Sequence, residues 1–187
     1  MASKADPTAR EYENWLRILT LVHYGGKELC LDIIHQQEGL PTDGGQLYIS
    51  LSAKMADFQK LLHKGVIKQN QFNVIFPLNQ ITDLAMFDIT LFTFVIQVMF
   101  GKKYKVAIEE LRKWRNEEFH KGKVSFTVAE FNKTWNDITT MFQNFGLNLL
   151  IIADLKTCAL DANSQYKKTY LDAQILKHDI ELAGTGI

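Results

Sequence analysis

The chain has 187 residues, the length of one domain with a short extension, since domains commonly hold roughly 100–200 residues. Hydrophobic residues make up 47% of it and charged residues 22%, which excludes a disordered tail, a collagen-like repeat and a charged low-complexity segment. Twenty-one basic side chains balance twenty-one acidic ones, so no global field draws the molecule to nucleic acid, and any anion-binding surface is expected to be local.

The sequence predicts a cytoplasmic protein that does not enter a membrane. Residues 1–10 are polar and do not form a signal peptide. The longest apolar stretch, residues 89–100, is shorter than the about 20 residues that a bilayer-spanning helix needs, so we expect a buried helix there. Cys30 and Cys158 have no partner at zinc-ligand spacing, which favours buried thiols in a reducing compartment.

The apolar periodicity predicts an all-α fold, a helical bundle that forms a single domain over residues 1–187. We expect a core over about 14–160 and a C-terminal extension over 161–187. Gly25-Gly26 is expected to kink or divide the first helix, Asp88 to cap the central helix and Gly101 to end it. The predicted helices cover residues 7–37, 47–64, 69–76, 89–100, 103–120, 127–160 and 164–182, the last two forming a long C-terminal pair.

The clearest helix start lies at Thr127. Thr127 and Glu130 have the spacing of a capping box, in which each side chain satisfies a backbone amide of the other residue. Phe126 before the cap and Phe131 in the first turn form the matching hydrophobic staple. We therefore expect a well-defined helix from this point toward Leu160.

A local excess of positive charge lies in residues 102–123, which hold eight lysines or arginines and four glutamates in a neutral chain. Arg115 and His120 are near the end of its helix. An arginine binds phosphate through two hydrogen bonds, and a histidine exchanges a proton near neutral pH. Together they are the minimum for cleaving RNA without a metal ion. The lysines that would add attraction for phosphate are Lys113, Lys121 and Lys123.

The spacing of this pair leaves two structural alternatives. Positions five apart differ by about 140° around an α-helix, so Arg115 and His120 do not share a face. Either the helix ends before His120, or a second copy of the chain completes the site. Arg115 also continues the apolar stripe of Ile108 and Leu111, where a charge needs a partner. The simplest such partner is Glu118, one helical turn further on, with His120 in solvent.

A second pair with similar spacing, Arg17 and His23, is separated by Ile-Leu-Thr-Leu-Val. This apolar setting predicts a structural pair on the core side of its helix. A di-iron site is a further alternative, because Glu117 and His120 have the spacing of a ligand pair in helical bundles. Such a site also needs carboxylates from neighbouring helices, and the central helix has none. We therefore expect neither a metal ion nor a cofactor.

The combination Arg115-Asn116-x-x-Phe119-His120 at the end of a helix, followed by a further capped helix, resembles the HEPN superfamily. Within it, the chain is similar to the branch grouped with the DAZ-interacting zinc-finger protein, the DZIP-type HEPN domain. The resemblance covers about residues 14–152. The other matching segments are residues 39–42, 72–77, 87–91, 130–131 and 135–138.

The resemblance implies a helical bundle that pairs as a homodimer. Active members are metal-independent endoribonucleases, in which arginine and histidine meet the partner's copies across a twofold axis. On this sequence it assigns Arg115 to the phosphate of single-stranded RNA, Asn116 to orientation and His120 to proton transfer.

One departure from the branch favours a different function. His120 follows Phe119 directly, whereas one further small residue is expected between the aromatic residue and the histidine. Glu117 and Glu118 also add negative charge where RNA phosphate would approach. The alternative to a ribonuclease is therefore a non-catalytic dimerisation or interaction module of a larger, multidomain defence or signalling protein.

Overall fold

The computed structural model describes residues 8–120, 125–159 and 171, without the side chains of residues 117–120. Within these ranges every regular element is a helix, and the prediction of an all-α protein is confirmed. The α-helices are α1 (Ala9–Thr20), α2 (Gly26–Leu31), α3 (Gly44–Ser52), α4 (Met55–His63), α5 (Gln69–Ile75), α6 (Ile89–Phe100), α7 (Lys105–His120) and α8 (Val128–Asn144).

The backbone packs as two compact units. The terminal unit comprises Met1–Glu28 and Glu110–Ile187, and the middle unit comprises Leu29–Glu109. The chain passes from one unit to the other within α2 and again within α7. The single domain expected from the length stays a prediction.

Helix α1 begins with a capping box and continues into a wider helical turn. The Thr8 hydroxyl accepts a hydrogen bond from the Glu11 amide, and the Glu11 carboxylate accepts one from the Thr8 amide. Leu21–Gly25 then forms a π-helical turn, and α2 begins at Gly26 with helical dihedral angles (φ −64°, ψ −39°). The helical backbone thus continues through Gly25-Gly26, where the sequence predicted a kink or a division, and only its hydrogen-bond spacing changes there. A second π-helical turn, Asp32–Gln37, follows α2.

In the terminal unit, α1 packs against α8. Two hydrogen bonds hold the residue before α8 on α1: the Asn14 side-chain amide donates to the Phe126 carbonyl (3.0 Å), and the Phe126 amide donates to the Glu11 carbonyl (3.1 Å). The predicted capping box of Thr127 and Glu130 then begins α8. The start of α8 is thus determined by its own sequence and by α1 together.

The end of α8 differs from the prediction. The helix was expected to run toward Leu160, but it ends at Asn144. Gly146 has a φ of 98°, and the Leu147 amide donates to the Phe142 carbonyl (3.0 Å), which is the Schellman arrangement of a helix end. The apolar residues beyond Gly146 extend the helical spacing, but this reversal takes them out of α8.

The chain after α8 therefore does not form the first member of a long C-terminal helix pair. It forms a 3-10 helix, Leu149–Ile152, which packs against α8 and against the turn Leu21–Gly25. The second predicted member, residues 164–182, and the extension 161–187 lie outside the described residues except for Leu171.

Arg17 fastens the chain after the 3-10 helix to α1. Its guanidinium donates to the Leu155 carbonyl (2.7 Å) and to the Cys158 carbonyl (2.8 Å), and it forms an ion pair with Glu13 (3.1 Å). Only 13% of its side-chain surface is exposed. The prediction of a structural role for Arg17 is confirmed, and the neighbouring His23 is half-buried.

In the middle unit, residues 47–64 form two helices where the sequence predicted one. Helix α3 ends at Ser52, and α4 begins after Lys54. The Ser52 hydroxyl donates to the Tyr48 carbonyl (2.8 Å), and Ser50 bonds Gln46 in the same way (3.0 Å). These hydroxyls compete with the backbone for helix carbonyls and weaken the helix where it ends.

Helix α6 begins and ends where the sequence predicts. The Asp88 carboxylate accepts a hydrogen bond from the Leu91 amide (2.7 Å), and Gly101 follows the helix with a φ of 61°. Its side chains are largely buried, as expected of a helix that is apolar nearly all round. The tight turn that begins at Gly101 leads directly into α7.

Replacing Gly25 by alanine is expected to destabilise the protein. A Cβ atom at this position would lie 2.4 Å from the Cε2 atom of the Phe142 ring, which is fully buried and has little room to move. Overpacking of this kind costs about 1–3 kcal/mol in the free energy of unfolding, measured by urea denaturation. Gly45→Ala, in the first turn of α3 with no contact under 3.4 Å, is the matched control. Equal stability of the two variants would contradict the close contact.

Arg17→Met is expected to loosen the chain after the 3-10 helix. It removes two charge-assisted hydrogen bonds to backbone carbonyls, which together stabilise by about 1.5–3 kcal/mol or more. Thermal and urea unfolding measure the loss, and hydrogen exchange locates it at the amides of residues 149–159. Arg10→Met, at an exposed position of α1, is expected to change the stability by less than about 0.5 kcal/mol. If both variants unfold alike, Arg17 does not hold this segment.

Candidate functional site

The segment before α7 is held in place by a charged cluster in the middle unit. Lys103 Nζ and Tyr104 Oη both donate hydrogen bonds to Glu38 Oε1. These two bonds, that of Lys103 first, hold the pKa of the Glu38 carboxyl below its usual value. Burial and the bond to Glu38 raise the pKa of Tyr104. Lys103 is therefore engaged in fixing the entry to α7 and does not contribute a free charge.

Helix α7 has one buried stripe and one exposed face. Ala107, Ile108 and Leu111 are buried, as expected from their spacing. Lys113 and Asn116 are exposed and lie on the opposite side of the helix. The two residues that the resemblance assigns to RNA on this helix thus differ in setting, because Arg115 follows the buried stripe and Asn116 does not.

Arg115 is half-buried, four positions beyond Leu111 on the same line. No carboxylate among the described side chains lies within ion-pair distance of its guanidinium. Removing a charge from water without a partner is costly. The alternative partner, Glu118, has a side chain outside the described set. The described surroundings of Arg115 therefore leave this guanidinium able to bind an anion.

The backbone of α7 is helical through His120. This removes the first of the two alternatives, a helix that ends before His120. Positions 115 and 120 consequently differ by about 140° around one continuous helix, and a single helix does not bring them together. The side chain of His120 and all of Lys121 and Lys123 lie outside what the structure describes.

Part of the positive charge of this segment is paired within the chain. Lys105 forms an ion pair with Glu109 (3.6 Å), Lys103 pairs with Glu38, and Arg112 also has a partner. Lys113 forms no ion pair with any described residue. Of these two carboxylates only Glu38 lies outside residues 102–123, so of the two ion pairs that with Lys103 alone offsets part of the excess counted from the sequence. Arg115 and Lys113 are cations of the described part of α7 that form no ion pair with a described residue.

The structure also bears on a possible metal site, on the two cysteines and on membrane-spanning helices. In the described part of the chain, no group of three histidine, cysteine, aspartate or glutamate residues is placed to hold a metal ion. The ligand pair Glu117 and His120 lies outside this test.

Cys30 is buried, which raises its pKa to about 12, whereas Cys158 is only half-buried. No helix within the described ranges has the length and hydropathy to cross a membrane.

A cleft in the terminal unit was not predicted from the sequence. It lies between α8 and the chain that follows it, with Trp135 on one side and Lys156 at its rim. The cleft was missed because one straight helix from Thr127 to Leu160, as the sequence predicted, would keep Trp135 and Lys156 far apart. The Phe145-Gly146 pair was the signal for the reversal, since glycine is the usual residue where a helix ends.

Comparison with known proteins adds no neighbour. No family model, no curated protein and no solved structure matches this chain significantly. The resemblance to the HEPN superfamily therefore depends on the residues of the sequence alone.

Proposed function

We propose that the protein is an RNA-binding domain and a metal-independent endoribonuclease whose site is completed by a second copy of the chain. The observation that carries the proposal is the half-buried position of Arg115, whose guanidinium has no acidic partner among the described residues. A phosphate of single-stranded RNA satisfies such a group through two parallel hydrogen bonds. Asn116 orients the RNA, and His120 transfers the proton.

The need for two copies follows from the direction of α7. Because the helix continues through His120, positions 115 and 120 lie about 140° apart around it. A twofold axis near the end of α7 brings Arg115 of one copy to His120 of the other. This arrangement agrees with the homodimer that the resemblance to the HEPN superfamily implies.

The reaction in this proposal is an internal transfer at phosphorus. His120, as a neutral imidazole, removes the proton of a ribose 2′-hydroxyl. The 2′-oxygen forms a bond to the adjacent phosphorus, the bond to the 5′-oxygen breaks, and this leaving oxygen takes up a proton from solvent water. The products are a cyclic phosphate and a free 5′-hydroxyl. Arg115 stabilises the negative charge that develops on the phosphoryl oxygens.

Charge supports RNA as the ligand. The whole chain is neutral, so attraction has to come from a local surface. Lys113 is exposed on the face of α7 that includes position 120, and Lys121 and Lys123 follow directly in the sequence. In this proposal the three lysines attract the RNA backbone, and the location is the reducing cytoplasm, where Cys30 and Cys158 remain thiols.

A non-catalytic dimerisation module is the second candidate. The same half-buried position of Arg115 favours it, since a guanidinium on an apolar stripe also fastens a protein interface when the partner supplies an acceptor. This candidate is also favoured because His120 follows Phe119 directly, without the small residue expected between them. Both candidates require a dimer, and only the first requires cleavage of RNA, so cleavage and dimerisation are measured separately.

His120→Ala is expected to lower cleavage of single-stranded RNA by about 10²–10⁴-fold, because it removes the general base. The assay uses wild-type protein, a fluorescent oligoribonucleotide and an excess of chelator. His63→Ala, at an exposed position of α4, is the matched control and is expected to cleave as wild type does. Mixing Arg115→Met with His120→Ala is expected to restore activity, because one intact composite site forms across the two copies. A wild type that does not cleave, or a His120→Ala variant that cleaves equally well, contradicts the catalytic proposal.

If Arg115 fastens the interface, as in the dimerisation module, Arg115→Met is expected to weaken the dimer at least about tenfold, which corresponds to about 1.4 kcal/mol. Analytical ultracentrifugation measures the dissociation constant, and circular dichroism checks that the helices remain. Lys113→Met, exposed on the same helix, is the control and is expected to keep the wild-type constant. A wild-type protein that is monomeric at all accessible concentrations contradicts the composite site and the dimerisation module alike.

A further inference from the structure

The cleft between α8 and the chain that follows it has the size of a small-molecule site. Its volume is about 450 Å³, within the range of roughly 300–1,000 Å³ typical of ligand pockets. All of it belongs to the terminal unit. One wall is formed by side chains four positions apart on α8, namely Trp135, Thr139 and Gln143, and the other by the 3-10 helix Leu149–Ile152.

A single positive charge lies at the rim of this cleft. The ammonium group of Lys156 is 5.5 Å from the centre of the Trp135 ring and 5.7 Å from that of Phe131. Both rings are buried, so they hold the ammonium at a fixed place by cation–π attraction. No described carboxylate forms an ion pair with Lys156, and no other lining residue is ionisable.

The rest of the cleft is largely apolar and open to solvent. Leu150 is 79% exposed, which is unusual for a large aliphatic side chain, and Leu149 and Ile152 line the same wall. Asn148 uses its side-chain oxygen to accept a hydrogen bond from the Leu150 amide (3.1 Å), which fixes the first turn of the 3-10 helix. The ligand that fits such a wall has a hydrocarbon body.

We propose that this cleft binds a small monocarboxylate with an apolar body, of the class that includes medium-chain fatty acids. The carboxylate pairs with Lys156, and the body lies on Leu149, Leu150 and Ile152. The one cation of the cleft matches one negative charge. RNA does not fit as well, because the rings of Trp135 and Phe131 lie under Lys156 and offer no free face for a base to stack on. This site is independent of the proposed function of α7.

Titration calorimetry with octanoate, octan-1-ol and acetate tests the proposal on the full chain. We expect octanoate to bind at least about tenfold more tightly than octan-1-ol, because it adds a charge-assisted contact with Lys156. We expect acetate not to bind, because it lacks the apolar body. Failure of octanoate to bind, or equal affinity for the acid and the alcohol, overturns the proposal.

Variants locate the binding. Lys156→Met is expected to remove the preference for octanoate over octan-1-ol, whereas Lys133→Met, exposed on the other side of α8, keeps it. Ala153→Trp fills the cleft and is expected to abolish binding of both. Thermal unfolding and circular dichroism check that each variant is folded. A Lys156→Met protein that still prefers the acid, or a folded Ala153→Trp protein that binds octanoate as wild type does, overturns the assignment to this cleft.

Discussion

The close packing of the first helical segment against α8 is the constraint on which the terminal unit depends. Gly25 has no side chain, and the Phe142 ring occupies the space that a Cβ atom would take. Near the other end of α1, Asn14 and the Glu11 carbonyl hold Phe126, the residue before the α8 cap. A ring that fills the place of a side chain and two long-range hydrogen bonds thus fix α8 along its length. A substitution at Gly25 or at Asn14 therefore disturbs one of the contacts that hold α8 in its position.

The reversal of the chain after α8 begins close to this contact. Phe142, which packs on Gly25, is also the residue whose carbonyl receives the Leu147 amide in the reversal at Gly146. The reversed chain then meets Arg17, which takes the Leu155 and Cys158 carbonyls. The cleft lies in this reversal. The cleft therefore depends on the glycine that ends α8, and it lies close in sequence to the residue that packs on Gly25.

Local signals in the sequence were sufficient for the capped starts of α6 and α8, whereas two helix ends were predicted wrongly. The Thr127 capping box and the Asp88 cap involve residues three positions apart, so the sequence shows the whole interaction. The end of α8 was predicted wrongly because Leu149 continues the apolar spacing of the helix, and spacing alone does not reveal that Gly146 adopts a positive φ. The break after Ser52 was missed for a similar reason, since a serine hydroxyl also occurs within uninterrupted helices.

The candidate site was predictable in position and only partly in geometry. The spacing from Leu111 predicted that Arg115 would lie on the inward line of α7, and the half-buried guanidinium agrees with this. The spacing also predicted that positions 115 and 120 lie on different sides of one helix. The structure agrees with this, because α7 continues through His120. What satisfies Arg115 does not follow from this spacing, because the partner that the sequence suggests, Glu118, has a side chain outside the described set. Lys156 is equally hidden in the sequence, since its neighbours Trp135 and Phe131 precede it by more than 20 positions.

The number of cations in a segment is a weaker guide to anion binding than the pairing of each one. In the region of α7, Lys103 and Lys105 have carboxylate partners, so their charges are satisfied inside the molecule. Arg115 and Lys156 are different, because neither has an acid within ion-pair distance among the described residues: Arg115 is half-buried, and Lys156 lies over two aromatic rings. A cation that the fold already holds in place loses less side-chain entropy when an anion binds, so binding costs less free energy. Partial burial also strengthens the electrostatic attraction between the cation and the anion. In the two proposals, a neutral chain binds anions at two separate places while its overall field stays close to zero.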